Sequence, residues 1–312
     1  EGTAQVCFDA AEVQQPALGY IVENSLVVAA LQQRLQNASN VNCLCPDTVT
    51  GLHDDEKAPQ CELVLQSGNT VHCQLVIAAD GAQSALRTLA GIKTVEWDYG
   101  HTAVVATVRT AHTHERTARQ RFMASGPLAF LPLRDNSGDE HWSSIVWSTA
   151  PDCAQSLLEM SQTEFAAQLG NAFEHKLGDI IEVRGRSGFP LRQRHARAYH
   201  QGRVVLIGDS AHTIHPLAGQ GVNLGFMDVK VLAEELLDAM TRQLPLAHPV
   251  VLKRYQRRRR GANLSMTATM ELFQRLFARR ELPLRWLRNT GMRGIDALPA
   301  VKRKIMRGAM GV

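Results

Sequence analysis

The stretch RVVLIGDSAHTIHPLAGQGVNLG, residues Arg203 to Gly225, decides how the chain is read. It opens on four apolar residues, Val204 to Ile207, rich in β-branched types and closed by glycine. Such a run predicts a strand buried on both faces. Gly208 ends it, and Asp209 stands at its carboxyl end, the edge at which open α/β sheets bind ligands. Pro216, Gly219, Gly221 and Gly225 follow. Helical spacing then begins, with Leu224, Met227 and Val231 on one stripe and Leu232, Leu236 and Met240 on the next. The segment therefore reads as strand, acidic turn, glycine-rich loop and helix N-terminus. Glycine has no Cβ to hold a large ligand away from backbone N–H groups.

Working outward, Thr70 to Ala79 ends in the apolar run LVIAA, again a strand, and Asp80-Gly81 follows it directly. Ser84 and Arg87 come next, on a predicted helix. Gly81 allows a tight turn, and a guanidinium such as Arg87 meets phosphate in a bidentate way. The plainer reading is a strand-to-helix turn with Asp80 as N-cap. Toward the start, Asn24 to Gln36 predicts a helix capped by Asn24 or Ser25, with Leu26, Ala30, Leu31 and Leu35 as a buried stripe. Val41 to Leu52 and Cys61 to Gln66 predict strands around a polar hairpin loop, Asp54 to Pro59. Trp97 to Thr110, Leu128 to Leu133, Ser143 to Trp147 and Ile180 to Pro190 read as strands of a mixed sheet, with helical spacing at Thr163 to Phe173. The aromatic residues Trp97, Tyr99, Phe122, Phe130, Trp142, Trp147 and Phe189 are core for the most part, or else a pocket wall.

At 312 residues the chain holds one large domain or two coupled ones. Its net charge of +4 is too mild to define a partner. Cys7, Cys43, Cys45, Cys61, Cys73 and Cys153 read as free thiols of a reduced cytosol, without zinc spacing. His212 and His215 stand three apart with no acidic or cysteine ligand nearby, so hydrogen bonding within the loop is expected and no metal. No apolar run reaches the roughly 18 residues of a membrane span, and no signal peptide is seen. The run KRYQRRRR, Lys253 to Arg260, reads first as a solvated helix face, then as a site for anionic lipid or an acidic partner. Nucleic acid is not expected, since no binding motif accompanies it. Beyond it, Leu272, Phe273, Leu276, Phe277, Leu284, Trp286 and Leu287 lie among five arginines, an amphipathic tail that packs on the protein or meets a membrane.

GDSAHTIHPLAGQGVNLG resembles the second FAD-binding fingerprint of the flavoprotein aromatic hydroxylases, the p-hydroxybenzoate hydroxylase superfamily. Within it the likeness is to the ubiquinone-biosynthesis hydroxylases, the 2-octaprenylphenol hydroxylase branch, and runs from VENSLVVAALQQRL to the AMG near the end. ADGAQSALR resembles the family's DG fingerprint. The resemblance implies an α/β fold: an FAD-binding Rossmann-like unit, residues 1–93 and 196–250, with an inserted mixed β-sheet substrate domain, 94–195, and a C-terminal helical region, 251–312. It implies an FAD-dependent monooxygenase in which NAD(P)H reduces FAD and a flavin C4a-hydroperoxide hydroxylates the ring of a polyprenylated phenol. The segment HTIHPLAGQGVNLGFMD looks most like a branch acting at the C5-type ring position. FAD-binding residues carried over are Gly208, Asp209, Pro216, Gly219, Gln220, Gly221, Asn223, Asp80, Gly81, Arg87 and Val49. Asn223 is equally a helix cap. Leu131-Pro132-Leu133 and Phe189-Pro190-Leu191 match positions that face the flavin region. No catalytic side chain is singled out. The family opens on a G-x-G-x-x-G unit, which does not occur here. The chain is therefore expected to lack its amino-terminal cofactor unit, to bind FAD poorly and to be inactive alone. A cytoplasmic protein, peripheral at the inner membrane face or held by other ubiquinone-biosynthesis proteins, follows from the same likeness. The alternatives are a hydroxylase of a soluble aromatic substrate and a non-catalytic scaffold subunit.

Overall fold

The structure is a computed structural model that describes residues 5–55, 57–135, 137–213, 221–278 and 298–310. The chain forms two compact units. One comprises 42–100 and 191–271, the other 1–41, 101–190 and 272–312.

In the first unit, β1 (Val49–His53), β2 (Cys61–Leu65) and β3 (Thr70–Cys73) form an antiparallel sheet. The expected strand over 41–52 starts only at Val49, because Pro46 has no N–H to give a ladder. The expected strand over 70–79 is two strands. β3 pairs antiparallel with β2, whereas β4 (Val76–Ala78) pairs in parallel with the strand of the opening stretch, Val204–Leu206. The chain thus changes sheet at Gln74-Leu75. The helix after Asp80-Gly81 is short, α1 (Ala85–Leu89). The core of this unit gathers Val76, Ala78, Leu86, Val204, Val205, Leu206, Val231, Leu232, Leu252 and Tyr255. Strand and helix stripes read from the sequence meet here. A strand covered on both faces has no polar alternation to keep, and Val204 to Leu206 has none.

In the second unit, β5 (Thr94–Thr110), β6 (Arg119–Met123), β7 (Gly126–Pro132) and β8 (Trp142–Thr149) make an antiparallel array. β9 (Ile180–Ala196) lies beside β5. The buried face carries Val104, Ala106, Val108, Leu128, Phe130, Ile145 and Trp147. These pack on α2 (Pro151–Glu159) and α3 (Gln162–Ala172) through Ala154, Leu157, Phe165 and Leu169. Phe130 stacks on Phe173 at 4.0 Å between centroids. Helix α3 begins on a capping box, Ser161 with Glu164, a signal present in the sequence as S-x-x-E. The aromatic set divides: Phe130, Trp142 and Trp147 are buried, while Trp97 and Phe189 are exposed. Both β5 and β9 run along the chain from one unit into the other.

The amino-terminal helix read from the sequence does form, over Asn24–Gln36, but two of its details are corrected. Its N-cap is Glu23, with no side-chain cap bond. None of its residues is buried, and Leu26, Leu31 and Leu35 are exposed. Apolar spacing states what a helix is able to bury, and among the described residues nothing covers this face.

Candidate cofactor site

The opening strand, β11 (Val204–Leu206), pairs antiparallel with the short β10 (His200–Gln201) and in parallel with β4, where Ala78 lies opposite Leu206. Asp80-Gly81 and Gly208-Asp209 therefore leave the same edge of the same sheet, at the carboxyl ends of adjacent parallel strands. This is the edge at which α/β sheets take ligands. Gly81 has φ +81 and Gly208 φ +58, left-handed values that side chains disfavour. A Cβ built on Gly81 would meet nothing within 4 Å, so the turn is open on that side.

The turn after β11 is a single 3-10 turn, Gly208–Ser210. Ser210 ties the two strand ends together. Its Oγ lies 2.6 Å from the Ala78 carbonyl and 2.7 Å from the Ile207 carbonyl. The Ser210 carbonyl in turn accepts from Arg87 Nη1 at 2.9 Å. The second Arg87 nitrogen donates to the Ala82 carbonyl at 2.9 Å. Arg194 donates to that same carbonyl. Two guanidinium groups thus converge on the loop beyond Asp80. Arg87 is buried, and burial first, then Arg194, pulls its pKa below the usual arginine value. Both terminal nitrogens are thus engaged, and the guanidinium joins the two acidic turns to each other. Asp80 accepts from Leu86 N–H at 3.0 Å, while the cap of α1 is Ser84, which accepts from Arg87 N–H. Ser210 was not among the residues singled out from the sequence. Its short hydroxyl gives no signal without knowledge of which strands pair.

Asp209 is exposed, and its carboxylate accepts no hydrogen bond among the described residues. Surrounding protein nevertheless raises its pKa above the ordinary aspartate value, with His212 acting against the shift. Its carboxylate thus stays open to solvent beside packed protein. Helix α4 (Gly221–Thr241) starts beside the turn, and a Cβ on its Gly225 would lie 3.4 Å from Gly208 Cα. Gly221 is the first helical residue and Asn223 is exposed in the first turn. Val49 opens β1 opposite Leu65 and packs on the core. Pro216, Gly219 and Gln220, like His215, lie outside the described residues.

Beneath the turn runs a buried polar chain that the sequence reading missed. Asp228 of α4 is fully buried. Its Oδ2 accepts from Gly208 N–H at 3.0 Å and from His212 Nε2 at 2.6 Å. Its Oδ1 accepts from Arg259 Nε at 2.6 Å and Asn263 Nδ2 at 3.3 Å. Asn263 also donates to the Tyr199 hydroxyl, 3.1 Å away. Burial works to raise the Asp228 pKa, but the His212, Arg259 and Gly208 bonds together hold it below the usual range. His212 therefore bonds to a helix, not within its own loop as expected.

The same chain corrects the reading of KRYQRRRR as simply a solvated face. It lies in α5 (Pro249–Ala278), where Tyr255 and Arg259 are buried. Arg254 pairs with Glu235 and Asp238, and Arg258 with Glu234 and Glu235, all on α4. The acidic partners lie sixteen to twenty-four positions upstream, so local charge counting did not reveal them. Within the run, Lys253, Arg257 and Arg260 are exposed and make no ion pair among the described residues. The arginine-rich stretch around Leu284, Trp286 and Leu287 lies outside the described residues.

A family model described as "FAD binding domain" matches residues 9–270. The chain is 39% identical over 310 residues to "3-demethoxyubiquinol 3-hydroxylase" of Escherichia coli (strain K12), covering 99% of this chain and 77% of that protein. The chain belongs to the FAD-dependent hydroxylases of ubiquinone biosynthesis. Its hydroxylase relatives include "Ubiquinone biosynthesis monooxygenase COQ6, mitochondrial" of Xenopus tropicalis, 34% identical over 330 residues, covering 93% of this chain and 70% of that one. Among solved structures, p-nitrophenol 4-monooxygenase PnpA from Pseudomonas putida DLL-E4 superposes with a TM-score of 0.73 at 21% identity. It is matched over 93% of this chain and 72% of its own, and it shows the shared α/β fold.

The residues present in this hydroxylase fit FAD by their chemistry. A carboxylate with no protein partner among the described residues stands at a strand's carboxyl end, ready to accept from sugar-type hydroxyls. Beside it are a helix N-terminus, which favours the electron-rich parts of a ligand, and glycines that let a large flat group approach the backbone. Among the described residues no helix is long and apolar enough to cross a membrane.

Proposed function

We propose that this chain supplies the flavin-holding turns and the substrate sheet of a monooxygenase that hydroxylates the aromatic ring of a prenylated phenol. The observation that carries the reading is the pair of acidic turns, Asp80-Gly81 and Gly208-Asp209, on adjacent parallel strand ends. The relatives named for ubiquinone biosynthesis support the substrate class.

In this reading Asp209 accepts hydrogen bonds from ribityl or ribose hydroxyls of FAD, each charge-assisted bond contributing about 1.5–3 kcal/mol. Gly208, Gly81 and Gly221 keep the backbone bare at the approach, and the family resemblance assigns Pro216, Gly219 and Gln220 to the same ligand. Asp80, Arg87, Val49 and Asn223 hold the loops and the helix start in place. The cofactor is assigned to the 42–100 and 191–271 unit and the substrate to the sheet of the other unit. The chemistry FAD supplies when bound, with NAD(P)H as reductant, is activation of O₂ for transfer of one hydroxyl to an electron-rich ring. The chain's own part is to bind, orient and exclude water. Lys253, Arg257 and Arg260, spaced four and three apart, offer one cationic side of α5 to an anionic membrane where a polyprenyl substrate resides. That surface fits a peripheral protein at the cytoplasmic membrane face.

The test is the visible absorption spectrum of the intact protein with FAD, followed by NAD(P)H-dependent turnover of a short-chain prenylphenol. Bound-flavin bands and a product carrying one added oxygen are expected. A protein that takes up no flavin overturns the reading.

A further inference from the structure

Asp209 makes no side-chain bond of its own among the described residues, so the backbone on either side of it sets where its carboxylate stands. That backbone is held from below by one residue. Asp228 Oδ2 accepts the N–H of Gly208, immediately before Asp209, at 3.0 Å. The same oxygen accepts from His212 Nε2, three residues after Asp209, at 2.6 Å. Both bonds of one carboxylate oxygen thus flank the turn. The other oxygen is fixed from α5 by Arg259 Nε at 2.6 Å and Asn263 Nδ2 at 3.3 Å. Arg259 is itself braced by Asn263 Oδ1 at 2.7 Å and the Leu224 carbonyl at 3.3 Å.

We propose that Asp228 is a positioning residue: it locks both ends of the Gly208–His212 turn and so sets the carboxylate of Asp209 for FAD. The proposal rests on the reading of Asp209 as an FAD ligand. A carboxylate fully removed from water is costly unless every lone pair is matched, and here four donors match it. An apolar residue at this place would fill the same core without touching the turn's amide. What a carboxylate adds is a fixed acceptor for two donors that lie on opposite sides of Asp209. Helix α4 is thereby keyed to the strand end, and the close approach of Gly225 to Gly208 is maintained.

A comparison residue exists at the opposite end of the same strand. Asp54 accepts the Arg203 N–H at 2.7 Å and Arg203 Nη1 at 2.5 Å, so it clamps the amino end of β11 as Asp228 clamps the carboxyl end. FAD affinity is measured by flavin fluorescence in the intact protein carrying Asp228→Asn, Asp54→Asn, Asp209→Asn or His212→Gln, with thermal unfolding followed in parallel. Asp228→Asn is expected to weaken FAD at least tenfold and His212→Gln about three- to tenfold, while Asp54→Asn loses stability yet binds FAD within twofold of the parent. Should Asp228→Asn not fold, His212→Gln carries the test. Parent-like affinity in Asp228→Asn or His212→Gln, with Asp209→Asn weakened, overturns the positioning role, as does an equal loss in Asp54→Asn. Parent-like affinity in Asp209→Asn overturns the underlying reading of Asp209, and the proposal with it.

Discussion

Ala78 lies opposite Leu206 in a parallel pair, and this register delivers two acidic turns to one edge of one sheet. Everything proposed for the cofactor follows from that register. Ser210 reinforces it from one side through the Ala78 carbonyl, and Arg87 from the other through the Ser210 carbonyl.

Arg87→Lys is therefore expected to destabilise the protein. Lysine presents one point charge where two carbonyls, of Ser210 and Ala82, need a fork. A buried acceptor left unmatched costs about 1–3 kcal/mol. Chemical denaturation checks this, and unchanged stability would place the guanidinium elsewhere.

Two glycines separate backbone strain from steric clash. At Gly81 a Cβ meets open space, so Gly81→Ala carries only the left-handed φ, about 1–2 kcal/mol. At Gly126 the φ is +124 and a Cβ would sit 2.0 Å from the Ser148 carbonyl oxygen. Gly126→Ala is expected to cost several times more, seen as a much larger fall in Tm. Equal effects contradict the geometry.

How much of this was legible from the chain divides along physical lines. The IGD strand and the helix after it were legible because apolar runs and 3.6-residue spacing report burial on both faces or one. The DG turn was legible from Gly81. Asp228 and Arg259 were not, because a carboxylate in a helix and an arginine in a basic run look solvated until their partner is known. The exposed stripe of the 24–36 helix failed for the converse reason: periodicity carries no information about what lies opposite. Strand β6, RQRFM, opens on three polar residues and shows no apolar alternation, and helix α2 buries only Ala154 and Leu157 in nine residues, too short a stripe to report a helix.

Two aspartates of the site respond to pH in opposite senses. Asp228 is held below its ordinary pKa, so its contribution is full above the unfolded value, about 3.9, and is lost as pH falls further. Asp209, although its surface is open, is raised by the protein packed beside it, so its ionised form opposes folding once pH rises through its folded value. Without FAD, Asp209→Asn is expected to unfold at a higher temperature than the parent at pH 7, with the difference shrinking toward pH 4. Asp228→Asn is expected to unfold lower at pH 7 and to converge on the parent in acid. A lowered Tm in Asp209→Asn at pH 7 contradicts the first statement.

The exposed cations of α5 make a separate expectation. A lysine or arginine near an anionic surface contributes about 1 kcal/mol. Joint replacement of Lys253, Arg257 and Arg260 by glutamine is expected to weaken binding to phosphatidylglycerol vesicles roughly hundredfold, with added salt erasing most of the difference. Vesicle sedimentation reads this directly. Replacement of Arg254 or Arg258, which already face α4, is expected to lower stability instead.

The most direct measurement is the FAD dissociation constant of the intact protein against that of Asp209→Ala, by quenching of flavin fluorescence. Loss of one charge-assisted bond of about 1.5–3 kcal/mol corresponds to roughly ten- to hundredfold weaker binding. That loss, in a variant whose unfolding is no easier than the parent's, is the result expected. Equal affinity in the two proteins contradicts the assignment of this strand end to the flavin.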